Sequence, residues 1–271
     1  MTFSSRTRGH GGANVKSTPL AGDVTEDAFL GGKLRLRQPK SGHRAGHDAM
    51  LLAAATPARP GDRVVDFGAG IGAAGLAVAT RVAGIKLVLV EVDEGLAGLA
   101  RDNAAANAIV AETQVLDVVS GAKRFAAADL LPDSVDVVLM NPPFNDAARH
   151  RASPDKAREV AHMAGEETLD GWIHAARRIL KSGGHLVMIW RADGIGDVLA
   201  ALGGGFGSLM ILPVHADAAS AAIRVLVRAS KGGRAPARLL AGLVLNDEAS
   251  RPTHYVQTIL AGEKPLPLAT V

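Results

Sequence analysis

Short β-branched runs and longer stretches rich in alanine and leucine alternate along the chain from residue 62 onward. The runs that predict strands are "RVVDFG", "IKLVLVEV", "ETQVLDV", "SVDVVLMN", "HLVMIW", "SLMILPV" and "AIRVLVRA". The stretches that predict helices are "AAGLAVATRVA", "EGLAGLARDNAAAN", "LDGWIHAARRILKSGG" and "DGIGDVLAALGGG". Because strands joined by connections of helix length form parallel sheets covered on both faces, the pattern predicts an α/β fold. The expected core is a doubly wound, Rossmann-like sheet of seven strands, mostly parallel.

The two ends of the chain differ from this core. The last two predicted strands are joined by the short linker "HADAASAA", so we expect them to form an antiparallel pair at one edge of the sheet. Residues 1–24 are polar, basic and rich in glycine, and predict a disordered tail. The rest, 25–271, is expected to be one domain. Its predicted parts are a basic loop and helix over 25–61, the core over 62–231 and an extension over 232–271.

Composition excludes several classes of protein. The chain has no cysteine, which excludes disulfides and thiolate metal sites and is compatible with a reducing compartment. No stretch reaches the roughly 20 apolar residues that a membrane-spanning helix needs. The first residues also lack the apolar segment of a secretory signal. We therefore expect a soluble, cytoplasmic protein that has no metal centre and does not associate with a membrane.

Basic residues are clustered although the formal net charge is only +3. One run has no acid between its members: Lys33, Arg35, Arg37, Lys40 and Arg44. A second group comprises Arg149, Arg151, Lys156 and Arg158. Such runs are either solvated surfaces or contacts to nucleic acid phosphates. The chain has only 6 Phe, 2 Trp and 1 Tyr, which argues against a platform that stacks several bases.

The stretch "VVDFGAGIGAAGL" places an acid, Asp66, at a strand end before a glycine-rich turn and a helix. The glycines are Gly68, Gly70 and Gly72. Glycine allows a tight turn and lets a ligand approach the backbone beside a helix N-terminus. Glu91 ends the next strand, 19 residues after Gly72, near the spacing at which an acid meets a ribose hydroxyl pair. Asp117 ends the third predicted strand and is either a contact to an adenine amino group or an exposed loop acid.

The stretch "MNPPF" ends the fourth predicted strand, next to the first, so Asn141 should lie at the tip of that strand. The side-chain carbonyl of Asn141 and the backbone carbonyl of Pro142 can each accept one hydrogen of an amino group. Pro142 and Pro143 fix their own φ angles, so these acceptors are held in place before a substrate binds. Pro143 is itself expected to face the substrate. Phe144 can stack on a flat base or amide. On these residues alone the stretch is either a turn, which Asn-Pro commonly begins, or a pocket that holds a planar amino group.

Together, these features resemble a known family. Acid-x-Gly-x-Gly-x-Gly is similar to the first motif of the class I S-adenosylmethionine-dependent methyltransferases. Its combination with Asn-Pro-Pro-aromatic resembles the members that methylate adenine N6, guanine N2 or a glutamine amide. The resemblance implies an enzyme that uses S-adenosylmethionine and needs neither a metal nor a covalent nucleophile.

A narrower resemblance covers roughly residues 25–230. "SGHRAGHDAMLLAAA" followed by "NPPF" is similar to the bacterial tRNA(Val) adenine-37 N6-methyltransferases of the small-domain superfamily. It implies methylation of adenine N6 in a tRNA anticodon loop, and it implies Asp48 as a neighbour of the cofactor. The residues expected to contact RNA are then Pro143, Arg35, Arg37, Lys40, Arg44, Arg149 and Arg151.

Four alternatives stay open. Phe144 replaces the tyrosine usual in this family, as in relatives that methylate guanine N2 of ribosomal RNA. Release-factor glutamine N5 methyltransferases share the glycine loop and Asn-Pro-Pro, but carry a longer helical N-terminal domain. A non-catalytic RNA-binding module would not need Asn141 or Asp66. A nicotinamide oxidoreductase would need a residue that handles hydride, and the chain's single tyrosine, Tyr255, is near the C-terminus.

Overall fold

A nine-stranded mixed sheet and a separate β-hairpin organise the computed structural model, which describes residues 24–40, 44–143 and 168–270. The hairpin strands are β1 (Val24–Phe29) and β2 (Leu34–Pro39). The sheet strands are β3 (Arg63–Phe67), β4 (Lys86–Glu91), β5 (Ala111–Val115), β6 (Val135–Met140), β7 (Leu180–Arg191), β8 (Phe206–His215), β9 (Ala222–Lys231), β10 (Arg238–Leu239) and β11 (Leu243–Val244). The helices are α1 (His47–Ala55), α2 (Ala73–Arg81), α3 (Glu94–Ala106), α4 (Ala122–Ala127), α5 (168–179), α6 (Ile195–Leu202) and α7 (His254–Leu260).

The order of the strands confirms the predicted doubly wound α/β fold. The sheet runs β10-β8-β9-β7-β6-β3-β4-β5, and β11 also pairs with β8. Strands β3 to β7 pair in parallel, whereas β9 is antiparallel to both β7 and β8, as the short linker between β8 and β9 predicted. The predicted count of seven strands was two too low. The extra strands β10 and β11 are two residues each, too short to show a periodic pattern, and they pair with β8 from the C-terminal extension.

Each face of the sheet packs against its own layer of helices. Alternate residues of a strand point to opposite faces, so Val64 lies in one apolar cluster and Val65 in the other. The first cluster includes residues of α1, α2, α3 and α7, and the second includes residues of α4, α5 and α6. Trp172 and Trp190 are buried in the second cluster.

Arg35 and Arg37 of the basic run lie on strand β2 of the hairpin and not in the predicted basic loop. Lys33 precedes this strand, and Lys40 and Arg44 follow it. In "LRLRQP" the side chains of Leu34 and Leu36 are fully buried, whereas Arg35 and Arg37 are exposed. This alternation is the period of a strand with one buried face. The two leucines that alternate with these arginines are the signal for a strand. The helix predicted after this segment is present as α1.

The C-terminal extension packs back against α1 and β9. The backbone N–H of Leu266 donates to the carbonyl of Ala54 in α1 at 2.8 Å, and Leu268 is fully buried. Arg228 of β9 donates to the carbonyls of Leu268 and Thr270 at 2.6 and 2.7 Å. Within the described ranges, no helix is long and apolar enough to cross a membrane.

Candidate active site

Three predicted site residues come together at the carboxyl edge of the parallel sheet. Phe67 of β3 is paired with Val90 of β4 and with Met140 of β6. The residues that follow these three are Gly68, Glu91 and Asn141, which therefore lie side by side. Adjacent strands are about 4.8 Å apart, so the ends of β4 and β6 are separated by about 10 Å. Ligands of open α/β sheets bind at this edge.

The glycine loop has left-handed backbone angles at all three predicted glycines. Their φ angles are +65° at Gly68, +56° at Gly70 and +87° at Gly72. A Cβ at Gly68 would clash with the Trp172 ring, whereas a Cβ at Gly70 would meet no atom of the described residues within 4 Å. Gly68 is therefore needed for packing, and Gly70 leaves open space through which a ligand can approach the backbone.

Glu91 is almost fully buried and organises the loop through its carboxylate. Its Oε2 accepts the N–H of Gly70 at 2.7 Å. Its Oε1 accepts the N–H groups of Val92 and Asp93 at 2.8 and 2.9 Å. A carboxylate has about four sites for hydrogen bonds, so these three bonds leave capacity for about one hydroxyl.

Asp66 lies beneath the glycine loop. Its Oδ2 accepts the N–H of Gly75 in α2 at 2.8 Å and so ties β3 to that helix. Burial away from water raises the pKa of Asp66 to about 7; the charge of Glu91 adds to the rise, and the Gly75 amide opposes it. An acid buried at this energetic cost is typical of a functional site.

Asn141 places a buried acceptor at the end of β6. Its side-chain oxygen Oδ1 is buried and has no hydrogen-bond partner in the part of the chain that the structure describes. Pro142 is buried and Pro143 is exposed. An unsatisfied buried acceptor costs about 1–3 kcal/mol, so its presence beside the glycine loop points to a ligand that donates a hydrogen there.

Comparison with known proteins identifies the family. The model described as "Methyltransferase small domain" matches residues 41–212. The chain belongs to this family. It is 28% identical over 224 residues to the tRNA1(Val) (adenine(37)-N6)-methyltransferase of Dickeya chrysanthemi, a match that covers 80% of this chain and 85% of that protein. Over 155 residues it is also 24% identical to the release factor glutamine methyltransferase of Chlorobaculum tepidum, which covers 55% of this chain and 52% of that protein.

A solved structure resembles the whole methyltransferase unit. The crystal structure of a predicted O-methyltransferase from Agrobacterium tumefaciens matches with a TM-score of 0.68 and 33% identity. The match covers 81% of this chain and 98% of that one. This chain therefore shares the fold of nearly the whole of that relative.

S-adenosylmethionine is the cofactor of this methyltransferase, and the edge of the sheet fits it. The open space at Gly70 and the remaining acceptor capacity of Glu91 lie next to each other, joined by the 2.7 Å bond. Glu91 would hold one ribose hydroxyl with its remaining acceptor site, and the loop would take the adjoining part of the molecule against its backbone. When bound, S-adenosylmethionine supplies an activated methyl group. In the described residues, no group of three or more His, Cys, Asp or Glu could hold a metal ion.

Replacing Glu91 by alanine should weaken cofactor binding by about 10- to 100-fold, the effect of losing one or two charged hydrogen bonds. The change leaves the Gly70 amide without its acceptor and removes the expected ribose contact. Isothermal titration with S-adenosylhomocysteine measures the effect. Glu94→Ala is the matched control, because Glu94 is an exposed acid three residues further along. Equal affinities for both variants would contradict the role of Glu91.

Asp117 and Asp48 have partners within the protein. Leu116 donates to the Glu91 carbonyl at 2.9 Å, so Asp117 follows at the same edge, where its exposed carboxylate accepts the Val119 N–H at 3.0 Å. This is an exposed loop acid that closes its own turn. Asp48 accepts from Arg224 of β9 at 3.0 Å, and each side chain is 31% exposed. A cofactor contact by either acid stays a prediction.

The basic run is partly neutralised by β1. Arg35 pairs with Glu26 at 3.2 Å, and Arg44 with Asp27 at 2.8 Å. Arg44 also donates to the Pro39 carbonyl at 2.9 Å, which gives it a structural role in holding this segment. The side chains of Arg37 and Lys40 are exposed. Three further predicted site residues lie outside the described residues: Phe144, Arg149 and Arg151.

Sequence reasoning missed one buried polar residue that touches the site. Asn103 of α3 is fully buried, and its Nδ2 donates to the carbonyl of Ile71 in the glycine loop at 3.0 Å. Its other partners are backbone groups of β2. Because none of these partners is a side chain, no residue pattern in the sequence marks the contact.

Proposed function

We propose that this methyltransferase transfers a methyl group to the exocyclic N6 of adenine in tRNA. The observation that carries the proposal is the buried Oδ1 of Asn141 at the edge of the sheet, which has no hydrogen-bond partner among the described residues and is followed by Pro142 and Pro143. An amino group has two hydrogens to donate. The Asn141 side chain and the Pro142 carbonyl are two acceptors on consecutive residues, which suits an amino group better than a hydroxyl with its one hydrogen.

Orientation and electrostatics are the chain's own contribution to the reaction. The lone pair of an amino group on an aromatic ring is delocalised, so the nitrogen is a poor nucleophile. Two fixed acceptors hold its hydrogens, turn its lone pair towards the methyl donor and stabilise the positive charge that develops on it. Asn141 cannot take up a proton, and so the nitrogen loses its proton only after the transfer.

Two observations favour tRNA as the substrate. The relative in Dickeya chrysanthemi is named for adenine-37 of tRNA1(Val), and the similarity spans 80% of this chain. The exposed Arg35 and Arg37 lie on one face of β2 and can contact phosphates. A base in an anticodon loop leaves its stack at lower cost than a base in a duplex, which allows it to reach Asn141.

The glutamine amide of a release factor is the second candidate, because it presents the same planar NH2 group. The Chlorobaculum tepidum relative is named for that reaction, although its match covers only 55% of this chain. The hairpin at Val24–Pro39 argues against this candidate, because basic side chains on an exposed strand face suit a phosphate backbone better than a protein surface.

Methyl transfer from tritiated S-adenosylmethionine to separate substrates tests the proposal. The substrates are total tRNA from a strain lacking the gene, ribosomal subunits, release factors and a small catechol. The catechol covers the oxygen acceptor named for the Agrobacterium tumefaciens relative. We expect label in tRNA. Label only in release factor would favour the second candidate, and label only in the catechol would overturn transfer to nitrogen.

The double variant Arg35→Ala with Arg37→Ala should bind tRNA about tenfold more weakly and show a smaller dependence on salt. Each lost phosphate contact lowers the slope of log K against log salt by roughly 0.7 to 0.9. Filter binding at several salt concentrations measures both effects. Lys123→Ala with Arg124→Ala is the matched control, because these exposed residues lie on α4, which packs on the other face of the sheet. Unchanged slopes in the first variant would rule out the hairpin as an RNA contact.

A further inference from the structure

Two asparagines, Asn103 in α3 and Asn107 at the C-terminal cap of that helix, dock the hairpin through their side-chain amides. Asn107 accepts the N–H of Arg35 at 2.9 Å and donates to its carbonyl at 2.7 Å. Asn103, one helical turn earlier, accepts the N–H of Arg37 at 2.8 Å and donates to its carbonyl at 3.0 Å. Each amide therefore bonds the backbone N–H and carbonyl of one residue at the outer edge of β2, as a neighbouring strand would.

The two asparagines differ in their remaining contact. The second Nδ2 hydrogen of Asn103 goes to the carbonyl of Ile71, in the glycine loop, at 3.0 Å. Asn107 instead donates to the carbonyl of Asn103 in its own helix at 2.7 Å. Ile71 lies between Gly70 and Gly72, and the Gly70 N–H is bonded to Glu91. Of the two, only Asn103 joins the hairpin to the cofactor loop.

Both the burial and the chemistry of Asn103 suit it to fix the loop. The side chain is fully buried, and both of its donor hydrogens and its acceptor oxygen are engaged. A buried amide with satisfied partners has one orientation. The loop it contacts has glycines on both sides of Ile71, and glycine restricts the backbone least of all residues. The hydrogen bond from Asn103 to the Ile71 carbonyl therefore restrains the backbone of the loop, which the flanking glycines leave conformationally free.

We propose that Asn103 is a positioning residue for S-adenosylmethionine. The backbone of Arg37 orients its amide, and the amide holds the Ile71 carbonyl so that the loop keeps the conformation that binds the cofactor. The hairpin is thereby part of the cofactor site without touching the cofactor. This inference concerns cofactor binding alone, so it stands or fails independently of the RNA substrate.

Affinity for S-adenosylhomocysteine in Asn103→Ala and Asn107→Ala tests the inference. We expect the first variant to bind about tenfold more weakly and the second to stay within about twofold of the wild type. In steady-state assays Asn103→Ala should raise KM for S-adenosylmethionine with little change in kcat, because it weakens binding and not the chemistry. A variant that was merely less folded would lose kcat at unchanged KM, and that result, or equal affinities in both variants, would overturn the inference.

Hydrogen exchange on the wild-type protein gives a test that does not depend on the folding of a variant. Saturating S-adenosylhomocysteine should slow exchange in a peptide covering 34–39 several-fold more than in a peptide from the β8–β9 pair, which lies at the other side of the sheet. The second peptide accounts for the general stabilisation that any ligand produces. Equal slowing in both peptides would overturn the link between hairpin and loop.

Discussion

Asn141→Ala should lower kcat by about 100- to 1000-fold, the effect typical of removing one preorganised polar contact to a transition state. The affinity for S-adenosylhomocysteine should stay within about twofold of the wild type. The acceptor that is lost is the buried Oδ1 at the end of β6, whereas the loop that holds the cofactor is organised by Glu91 and Asn103. Steady-state methyl transfer to tRNA and titration of the cofactor product measure the two quantities.

Asn246→Ala is the matched control for this prediction. Its side chain is also a partly buried amide, but it bonds to the carbonyl of Ala216 near the C-terminal extension, away from the glycine loop. It should leave kcat and cofactor affinity unchanged. If Asn141→Ala retained wild-type kcat, the proposed role of Asn141 would be wrong. If it lost cofactor affinity as well, Asn141 would belong to the cofactor site.

Asp66→Asn should make the protein more stable above pH 7. The pKa of Asp66 is raised to about 7 by burial, against about 3.9 in an unfolded chain. Between these values the folded state holds a proton that the unfolded state has released, so wild-type stability falls as pH rises from about 4 to about 7. Three pH units correspond to about 4 kcal/mol. An asparagine cannot ionise but still offers an acceptor to the Gly75 N–H, so this loss should disappear.

Urea unfolding of both proteins at pH 5 and pH 8 measures this effect. The free energies of unfolding should differ by much more at pH 8 than at pH 5, because other titrating groups contribute equally to both proteins. Asp247→Asn is the control: its pKa is lowered by the backbone N–H of Arg251, so its stabilising effect is lost only in acid and should not change between pH 5 and 8. A constant difference between wild type and Asp66→Asn would show that Asp66 is ionised in the folded protein throughout this range.

The core of the fold was predictable because its signals are local. Each long strand of the sheet is an apolar run, and α2, α3, α5 and α6 are longer stretches rich in alanine and leucine, so the order of these elements follows from one pass along the chain. The short helices α4 and α7, of six and seven residues, were not predicted. The edge where Gly68, Glu91 and Asn141 meet follows from the same reading, because each ends or follows a strand of a parallel sheet.

The hairpin and its contacts were missed because their partners are remote in sequence. In the sequence Arg44 belongs to a run of cations without an acid. In the fold it pairs with Asp27 of β1, 17 residues earlier, at 2.8 Å. Asp48 pairs with Arg224 across 176 residues. Asn103 bonds only to backbone, which any sequence provides. Long-range polar pairing of this kind depends on the finished topology, so it becomes visible only in the folded chain.

The most direct test of the account is nucleoside mass spectrometry of tRNA methylated in vitro. Total tRNA from a strain lacking the gene is incubated with S-adenosylmethionine and either the wild-type protein or Asn141→Ala, then digested to nucleosides. The account predicts new N6-methyladenosine with the wild type and none with the variant. A ribose 2′-O-methyl or N2-methylguanosine product, or the same yield of N6-methyladenosine from both proteins, would contradict it.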